Sequence, residues 1–380
     1  MRSAGSSHNR TVPPGCGALP APDGAGGMLH PRAALLGAQG ASVYLPVCDH
    51  YSGLEARMVK SLQLQADMIA EFGVCVFDVT LDCEDGAPIG GEAEQAQRIV
   101  ALANAACANS AVSVSAPNAY RRVGVRVHPV GHAAFEADVQ TIVGQAAHAL
   151  RYVMVPKVET VNDVAQAVAA IDAATPPALQ ACPLPVHVLI ESPAAVHHAF
   201  EIAAHPRVQS LSFGLMDFVS AHGGAIPSVA MSVRPVGDTH SLDQFHHPLV
   251  LRAKMEVASA CHAHGKVPSH CVVTEFRDLL ALTRAAHTAS SALGFTRMWS
   301  IHPDQIRPIL AAFAPPLDEV ALASEIVLEA QSREWAPMAL RGQLHDRASY
   351  RYYWQVLERA YQTGIALGPD VGAYFSPSVH

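Results

Sequence analysis

The sequence lacks the features of membrane-spanning, secreted and nucleic-acid-binding proteins. It has no run of about 18 consecutive apolar residues, and its N-terminus has no charged segment followed by a short apolar core and a cleavage site. The 25 Lys and Arg residues are outnumbered by 33 Asp and Glu residues, which gives a net charge of −8, and no basic run with interleaved aromatics occurs. We therefore expect a cytoplasmic protein that acts on a small molecule and not on a nucleic acid or a membrane surface.

The sequence also lacks the motifs of common metal and nucleotide sites. Its eight cysteines form no CxxC pair, and several lie in apolar strand-like runs, which indicates reduced core thiols and not a disulfide framework. The 21 histidines form no HExxH or CxxC…HxxxH pattern, so a zinc site is not expected. The glycines form no GxGxxG or GxxxxGK[ST] motif, so these nucleotide-binding loops are not expected either.

What the sequence does contain is an alternation of short β-type runs and longer amphipathic stretches. Apolar residues in stretches such as 53–72 and 161–174 recur near a 3.6-residue period, which predicts helices between the strands. Eight units of about 32 residues each are typical of a closed (β/α)8 TIM barrel, and an open doubly wound parallel sheet is the alternative. The eight predicted strands are 43–48, 74–82, 123–129, 152–159, 185–191, 210–214, 266–271 and 297–303.

Three segments are predicted along the chain. Residues 1–41 are rich in Gly, Pro and Ala without a sustained period, and we expect them to form a mobile extension with no assigned chemistry. Residues 42–303 form the predicted catalytic barrel. Residues 304–380 are predicted to form a C-terminal helical segment with a glycine-containing break at 341–346. The apolar faces of its helices would pack on the barrel or on a neighbouring subunit.

Acidic residues cluster at the predicted carboxyl ends of the strands, where the active sites of this fold lie. Asp82, Glu84 and Asp85 follow the second predicted strand, Glu191 ends the fifth and Asp217 follows the sixth. An ionised Glu191 behind a run of apolar residues needs a cation or several hydrogen-bond donors. Glu191 and Asp217 together are suited to Mg²⁺, which takes few protein carboxylates, whereas the alternative for Asp217 alone is an N-cap of the following helix.

Two cationic residues lie on the same predicted face. Arg126 is suited to binding a substrate carboxylate through two parallel hydrogen bonds, and it is also a candidate partner for the acids after the second strand. Lys157 is a candidate Schiff-base amine, which requires a depressed pKa. Glu159 lies only two residues further on, and this argues against the Schiff-base role.

Several ordered motifs resemble the HpcH/HpaI aldolase and citrate lyase beta-subunit-like family, which includes malyl-CoA and β-methylmalyl-CoA lyases. The resemblance covers roughly residues 42–355 and implies a (β/α)8 barrel that uses Mg²⁺, with Mn²⁺ as the alternative metal. It also implies a homo-oligomer such as a trimer or hexamer. The motifs are LDCEDGA, VRVHP, VPKVE, LIESPAAV, AAHPRVQSLSFGLMDF and IHPDQI.

The resemblance implies roles for individual residues. Glu191 and Asp217 would be the metal ligands, and Arg126 would bind the carboxylate of a 2-oxo acid. Glu84 and Asp85 would hold Arg126 and metal-bound waters in place.

Further implied roles lie outside this group. The GQLHD segment puts Asp346 where the family carries an acid into the adjacent subunit's site. Additional substrate contacts are implied at Pro193, Gly214 and Lys60.

The reaction implied is Claisen- or aldol-type cleavage of a hydroxyacyl-CoA of the malyl-, methylmalyl- or citryl-CoA kind, giving an acyl-CoA and a 2-oxo acid such as glyoxylate or oxaloacetate. The sequence departs from the family where LPVCDHYSG has Asp49 and His50 in place of the Gly and Arg of P-G-x-R, which reduces the positive charge available to coenzyme A. His128 replaces an asparagine, and Trp299 stands where smaller residues are common.

Three alternatives stay open: a CoA-independent aldolase that releases pyruvate or oxaloacetate, a malyl-CoA-type thioesterase, and a catalytically silent binding barrel. The last is disfavoured because Arg126, Glu191, Asp217 and Asp346 are all retained.

Overall fold

Eight parallel strands close into a barrel in the computed structural model, which describes residues 29–36, 45–108 and 120–375. Consecutive strands pair in parallel, and the last strand pairs with the first. The predicted (β/α)8 fold is thereby confirmed. The barrel strands are β1 Cys48–Ser52, β2 Phe77–Asp82, β3 Val123–Arg126, β4 Tyr152–Val155, β5 Val186–Ile190, β6 Val208–Phe213, β7 Val267–His270 and β8 Arg297–Ser300.

Helices connect the strands and continue beyond the barrel. Every residue of β2 to β5 is buried, because side chains on the outer face pack on these helices and those on the inner face fill the barrel. The helices are α1 Pro31–Leu36, α2 Glu55–Phe72, α3 Glu92–Ala108, α4 Phe135–Ala146, α5 Val161–Ala174, α6 Pro193–His197, α7 Ala199–Ala204, α8 Leu215–Ser220, α9 Pro248–Ala263, α10 Leu279–Ser291, α11 Ile306–Phe313, α12 Leu317–Ser332, α13 Arg347–Gln362 and α14 Pro369–Gly372.

The first strand lies later in the chain than the sequence predicted. The sequence pattern predicts this strand at the apolar run 43–48, but β1 begins at Cys48 and pairs from there with Phe77 of β2 and with Met298 of β8. The polar composition of Cys48–Ser52 hides the strand, because Asp49 points into the barrel towards a buried cation. Asp49 and His50 are therefore buried strand residues, only 2% exposed, and do not belong to the loop that precedes α2.

A buried charged cluster fills the barrel interior between β8, β1 and β2. The guanidinium Nη2 of Arg297, which is fully buried, lies 3.1 Å from Asp49 Oδ2 and 2.7 Å from Asp78 Oδ2. Arg297 Nη1 also donates to the carbonyl of Pro46 at 3.1 Å. Arg122 approaches the other oxygen of Asp78 at 2.6 Å. Together these contacts tie the last barrel strand to the first two.

The residues after α11 build a second apolar cluster, separate from the barrel core. Val320, Ile326 and Val327 of α12 pack with Tyr350 and Trp354 of α13. By contrast, α11 contributes to the barrel core. The predicted break at 341–346 is largely a β-hairpin, which the sequence pattern did not indicate. Its two strands are β9 Met338–Leu340 and β10 Gln343–His345.

Part of the predicted N-terminal extension is ordered. Leu35 and Leu36 of α1 are buried in the second apolar cluster, and Arg32 forms an ion pair with Glu358 of α13. The sequence pattern did not indicate this helix. The rest of the predicted extension, apart from residues 29 and 30, lies outside the described residues.

Two further findings concern composition. Cysteines 48, 75, 83, 107, 261 and 271 are free thiols, as the sequence predicts. Cys182 is disulfide-bonded, so the expectation of reduced thiols is wrong at that position. None of the helices in the described ranges is long and apolar enough to cross a membrane.

Candidate functional site

The acidic residues that end β2 meet Arg126, the last residue of the neighbouring strand β3. Arg126 Nε and Nη2 bind the two Asp82 carboxylate oxygens at 2.7 and 2.5 Å, in the parallel geometry expected of a guanidinium and a carboxylate. Its Nη1 lies 2.9 Å from Glu84 Oε2. Burial disfavours the charged guanidinium, but Asp82 and Glu84 outweigh this effect and raise the pKa of Arg126. Arg126 is thus a fixed, permanently charged group.

Lys157 extends this network from the loop after β4. Its Nζ hydrogen-bonds to Glu84 Oε1 and lies 3.6 Å from Asp85 Oδ2. Burial lowers the pKa of Lys157, yet the hydrogen bond and charge of Glu84 dominate and leave that pKa raised. A Schiff-base amine needs the opposite shift, so the geometry favours the ion-pair interpretation of Lys157.

The backbone of Lys157 fixes the carboxylate of Glu191. Lys157 has a φ of 52°, in the left-handed region that residues other than glycine seldom adopt. In this conformation its N–H donates to Glu191 Oε1 at 2.6 Å. One oxygen of Glu191 is therefore held by a backbone donor.

The other oxygen of Glu191 lies against Gly214, the residue after β6. A Cβ built on Gly214 would come within 2.5 Å of Glu191 Cβ and 2.6 Å of Oε2. Burial, followed by the negative charge of Asp217, raises the pKa of Glu191 to about 8. The chain therefore places a buried carboxylate beside a second acid, and within the described residues neither acid forms an ion pair with a Lys or Arg side chain.

This carboxylate pair fits a small divalent cation. Asp217 lies in the first turn of α8, but Gly214 and not Asp217 is the residue that precedes that helix, so the N-cap alternative is not what the structure has. Among the residues that the structure describes, no three His, Cys, Asp or Glu side chains form a complete metal cluster. Two carboxylates and open positions match the preference of Mg²⁺, which keeps several non-protein ligands.

Two aromatic side chains lie next to Arg126, one from β1 and one from β8. The Arg126 guanidinium carbon lies 4.9 Å from the centre of the Tyr51 ring, which meets the Trp299 ring edge-on at 5.1 Å. Burial raises the pKa of Tyr51 to about 12, so the phenol is neutral. The sequence pattern does not indicate Tyr51, because it predicts the first strand several residues earlier, and it marks Trp299 only as an unusually large residue.

The remaining predicted site residues are not joined to this network by any contact within the described parts of the chain. Lys60 is exposed on α2, and Pro193 is exposed at the first position of α6. Asp346 is exposed and caps α13, where its Oδ1 accepts hydrogen bonds from the N–H groups of Ala348 and Ser349. One chain alone therefore does not bring Asp346 to Arg126.

Comparisons with known proteins agree with this architecture. The family model for HpcH/HpaI aldolase/citrate lyase matches residues 61–303. An L-malyl-CoA/beta-methylmalyl-CoA lyase from Cereibacter sphaeroides is 29% identical over 247 residues, which cover 63% of this chain and 76% of that protein.

Two solved structures are also similar to this chain. A citrate lyase from Burkholderia xenovorans LB400 is 47% identical with a TM-score of 0.69, covering 88% of this chain and 98% of that one. The protein CitE from Mycobacterium tuberculosis, in complex with magnesium, acetoacetate and coenzyme A, is 21% identical with a TM-score of 0.57. That match covers 83% of this chain and 98% of CitE, and at this identity it shows the fold alone.

Proposed function

The chain belongs to the HpcH/HpaI aldolase/citrate lyase family and is a carbon–carbon lyase, and from this premise we propose that it cleaves a hydroxyacyl-CoA, with Mg²⁺, to an acyl-CoA and a 2-oxo acid. The observation that carries the proposal is the buried carboxylate of Glu191, held beside Asp217 and close to Arg126. The support for coenzyme A comes from similar proteins: one is a malyl-CoA lyase, and the CitE structure contains magnesium and coenzyme A.

Arg126 would bind the carboxylate of the oxo acid. A guanidinium has five N–H groups. Contacts with Asp82 and Glu84 engage three of its nitrogens once each, which leaves two N–H groups for a ligand. Because the two acids also fix the plane of the guanidinium, the substrate would meet a preorganised binding group.

Glu191 and Asp217 would hold the divalent cation. Bound there, the cation would supply a Lewis acid towards the carboxylate and adjacent oxygen of the oxo acid. Lys157 would keep Glu84 in place and, through its N–H, would orient Glu191. A proton on the enolising carbon or alcohol would be moved by an acid such as Asp346 of a neighbouring subunit.

The test is a mass-spectrometric assay with Mg²⁺, acetyl-CoA or propionyl-CoA, and glyoxylate. We expect the parent protein to form a new hydroxyacyl-CoA. The Glu191→Gln variant should lose at least about 100-fold of this activity, because removing a metal ligand removes charge stabilisation that is worth several kcal/mol.

A matched control separates this effect from a general loss of carboxylate charge. Glu256 lies on the outer helix α9, so Glu256→Gln makes the same chemical change away from the site and should keep parental activity. Binding of Mg²⁺, measured by calorimetry, should be weakened in Glu191→Gln alone. A Glu191→Gln variant with full activity and parental Mg²⁺ affinity would contradict the proposed metal role.

One observation favours a second candidate, a CoA-independent aldolase. His50 stands where the family has an arginine, and its two ring nitrogens contact Ser300 Oγ at 3.0 Å and Ser61 Oγ at 2.9 Å. Burial lowers the pKa of His50 to about 4, so it offers no cation to a phosphate at neutral pH. If the assay yields no thioester product while free hydroxy-oxo acids are split to pyruvate or oxaloacetate, this candidate replaces the first.

A further inference from the structure

The acidic side chains around Arg126 already form ion pairs with the nearby cations. Asp82 and Glu84 contact Arg126, and Glu84 and Asp85 contact Lys157. Within the described residues, no third Lys or Arg side chain has a contact with this acid cluster. Arg277 and Lys60 are exposed, and the Arg277 guanidinium lies over the ring of Phe276. Among the described residues, the site therefore offers the buried Arg126 for one carboxylate, and its other cation, Lys157, is 40% exposed and already paired with Glu84 and Asp85.

An apolar cluster inside the barrel adjoins Arg126 through Tyr51. Tyr51, which contacts the Arg126 guanidinium, belongs to a separate apolar cluster inside the barrel. We call this cluster the mouth wall. Its buried members are Tyr152, Met154, Leu189 and Trp299, and its partly buried members are Tyr51 and Val272.

The mouth wall carries no charge that could neutralise an anion. The Trp299 indole N–H is its one unpartnered buried donor among the described residues. A neutral donor does not compensate a buried carboxylate, which needs an opposite charge as well as hydrogen bonds. The neighbouring acids Asp82, Glu84 and Asp85 add repulsion, since their charges all act on Tyr51. A hydrogen atom or a small alkyl group would meet no such penalty at the mouth wall.

We propose that the oxo acid used by this site is a monocarboxylate with a hydrogen or small apolar substituent, of the glyoxylate or pyruvate kind, and that the site rejects 2-oxo dicarboxylates such as oxaloacetate. The inference rests on the proposed function in one respect, namely that Arg126 holds the carboxylate next to the carbonyl. It goes further by assigning Tyr51, Trp299 and Val272 as the residues that determine which substituent of the oxo acid the site accepts.

The first experiment measures binding and turnover side by side. Glyoxylate, pyruvate and freshly prepared oxaloacetate are titrated into the protein with Mg²⁺ by calorimetry, and each is then assayed with acetyl-CoA and propionyl-CoA. We expect the monocarboxylates to bind, and to react if the lyase proposal is right, at least tenfold better than oxaloacetate.

The second experiment adds a cation to the mouth wall. Val272→Lys should raise the affinity for oxaloacetate relative to pyruvate by about tenfold, because the new ammonium can pair with the distal carboxylate. Met255→Lys makes the same charge change at an exposed position of α9 and should leave the ratio unchanged. Thermal unfolding of both variants checks that they are folded.

The outcomes distinguish the two proposals. A monocarboxylate preference in binding without turnover would support the inference and count against the lyase activity with these acyl-CoAs. Equal or better binding and turnover of oxaloacetate by the parent protein would overturn the inference and leave the lyase proposal standing. Failure of all three acids to bind would overturn both.

Discussion

At the scale of single residues, the position of the Glu191 carboxylate depends on two neighbours that act without their side chains. Lys157 supplies a backbone N–H at 2.6 Å, and Gly214 supplies space. Gly214 has a φ of −92°, so it is required here for the close approach of Glu191 and not for an unusual backbone conformation. The position of the carboxylate is therefore decided by atoms that a sequence motif shows only indirectly.

This dependence predicts the effect of Gly214→Ala. The added Cβ would come within 2.6 Å of Glu191 Oε2, and the carboxylate must move away from its present position. We expect at least about a tenfold loss of lyase activity and a weaker Mg²⁺ affinity, since overpacking of this kind costs about 1–3 kcal/mol. Calorimetric Mg²⁺ titration and the mass-spectrometric assay measure the two effects.

Gly144→Ala is the matched control for this substitution. Gly144 lies within α4, and its added Cβ would meet only the carbonyl of Ala174 at 3.8 Å. Alanine in a helix interior is favoured over glycine by about 0.5–1 kcal/mol, so the control should be as stable as the parent or more stable. Unchanged Mg²⁺ binding by Gly214→Ala would show that Glu191 tolerates the displacement.

At the scale of elements, the closure of the barrel depends on a charge inside it. Arg297 of β8 lies close to Asp49 of β1 and Asp78 of β2, and all three side chains are buried. Removing one member of such a group leaves uncompensated charge in the interior, which is much more costly than losing a surface ion pair.

We therefore expect Arg297→Met to destabilise the protein by about 3–5 kcal/mol. Urea unfolding followed by circular dichroism measures the change. Arg333→Met removes an exposed i,i+4 pair with Glu329 and should change the free energy of unfolding by less than about 0.5 kcal/mol. Equal stability of the two variants would mean that the interior charges do not hold β8 against β1 and β2.

At the scale of the whole molecule, the apolar core has two parts. The barrel core runs from Val47 to Phe313, and the second cluster joins α1 to α12 and α13. The C-terminal part carries Asp346 on its surface, as the N-cap of α13 and without a described contact to the barrel site. This arrangement suits our proposal that Asp346 acts in a neighbouring subunit's site, with the chain assembled as a homo-oligomer.

A complementation experiment tests that proposal. Asp346→Asn removes the acid but keeps a good capping residue. Mixed in equal amounts with Glu191→Gln under conditions of proven subunit exchange, it should restore roughly a quarter of parental activity, the share of sites that receive both intact residues if two subunits build each site.

Two variants that affect the same chain's part of the site provide the control. Glu191→Gln mixed with Asp217→Asn should restore no activity, because both residues would come from one subunit. Absence of recovery in the Asp346→Asn mixture, despite exchange, would count against a site shared between subunits.

The sequence by itself determined the barrel and the composition of its charged face. Seven of the eight predicted strands overlap the observed ones over most of their length, because a buried parallel strand is written locally as a short run of β-branched and apolar residues. The sequence also predicts that Asp82, Glu84, Asp85 and Arg126 lie on one face, because the carboxyl ends of neighbouring parallel strands lie together, and these acids were one of two candidate partners for Arg126. The exception was β1, whose polar residues are explained only by Arg297 at the far end of the barrel sequence.

Only the tertiary structure decided how these groups are paired and oriented. The left-handed φ of Lys157, the space beside Gly214 and the contact of Tyr51 with Trp299 have no local signal. Each depends on atoms from strands that become neighbours only when the barrel closes, with β8 beside β1. Differences of a few tenths of an ångström in the distances between such strands are set by packing, which no single segment of the sequence encodes.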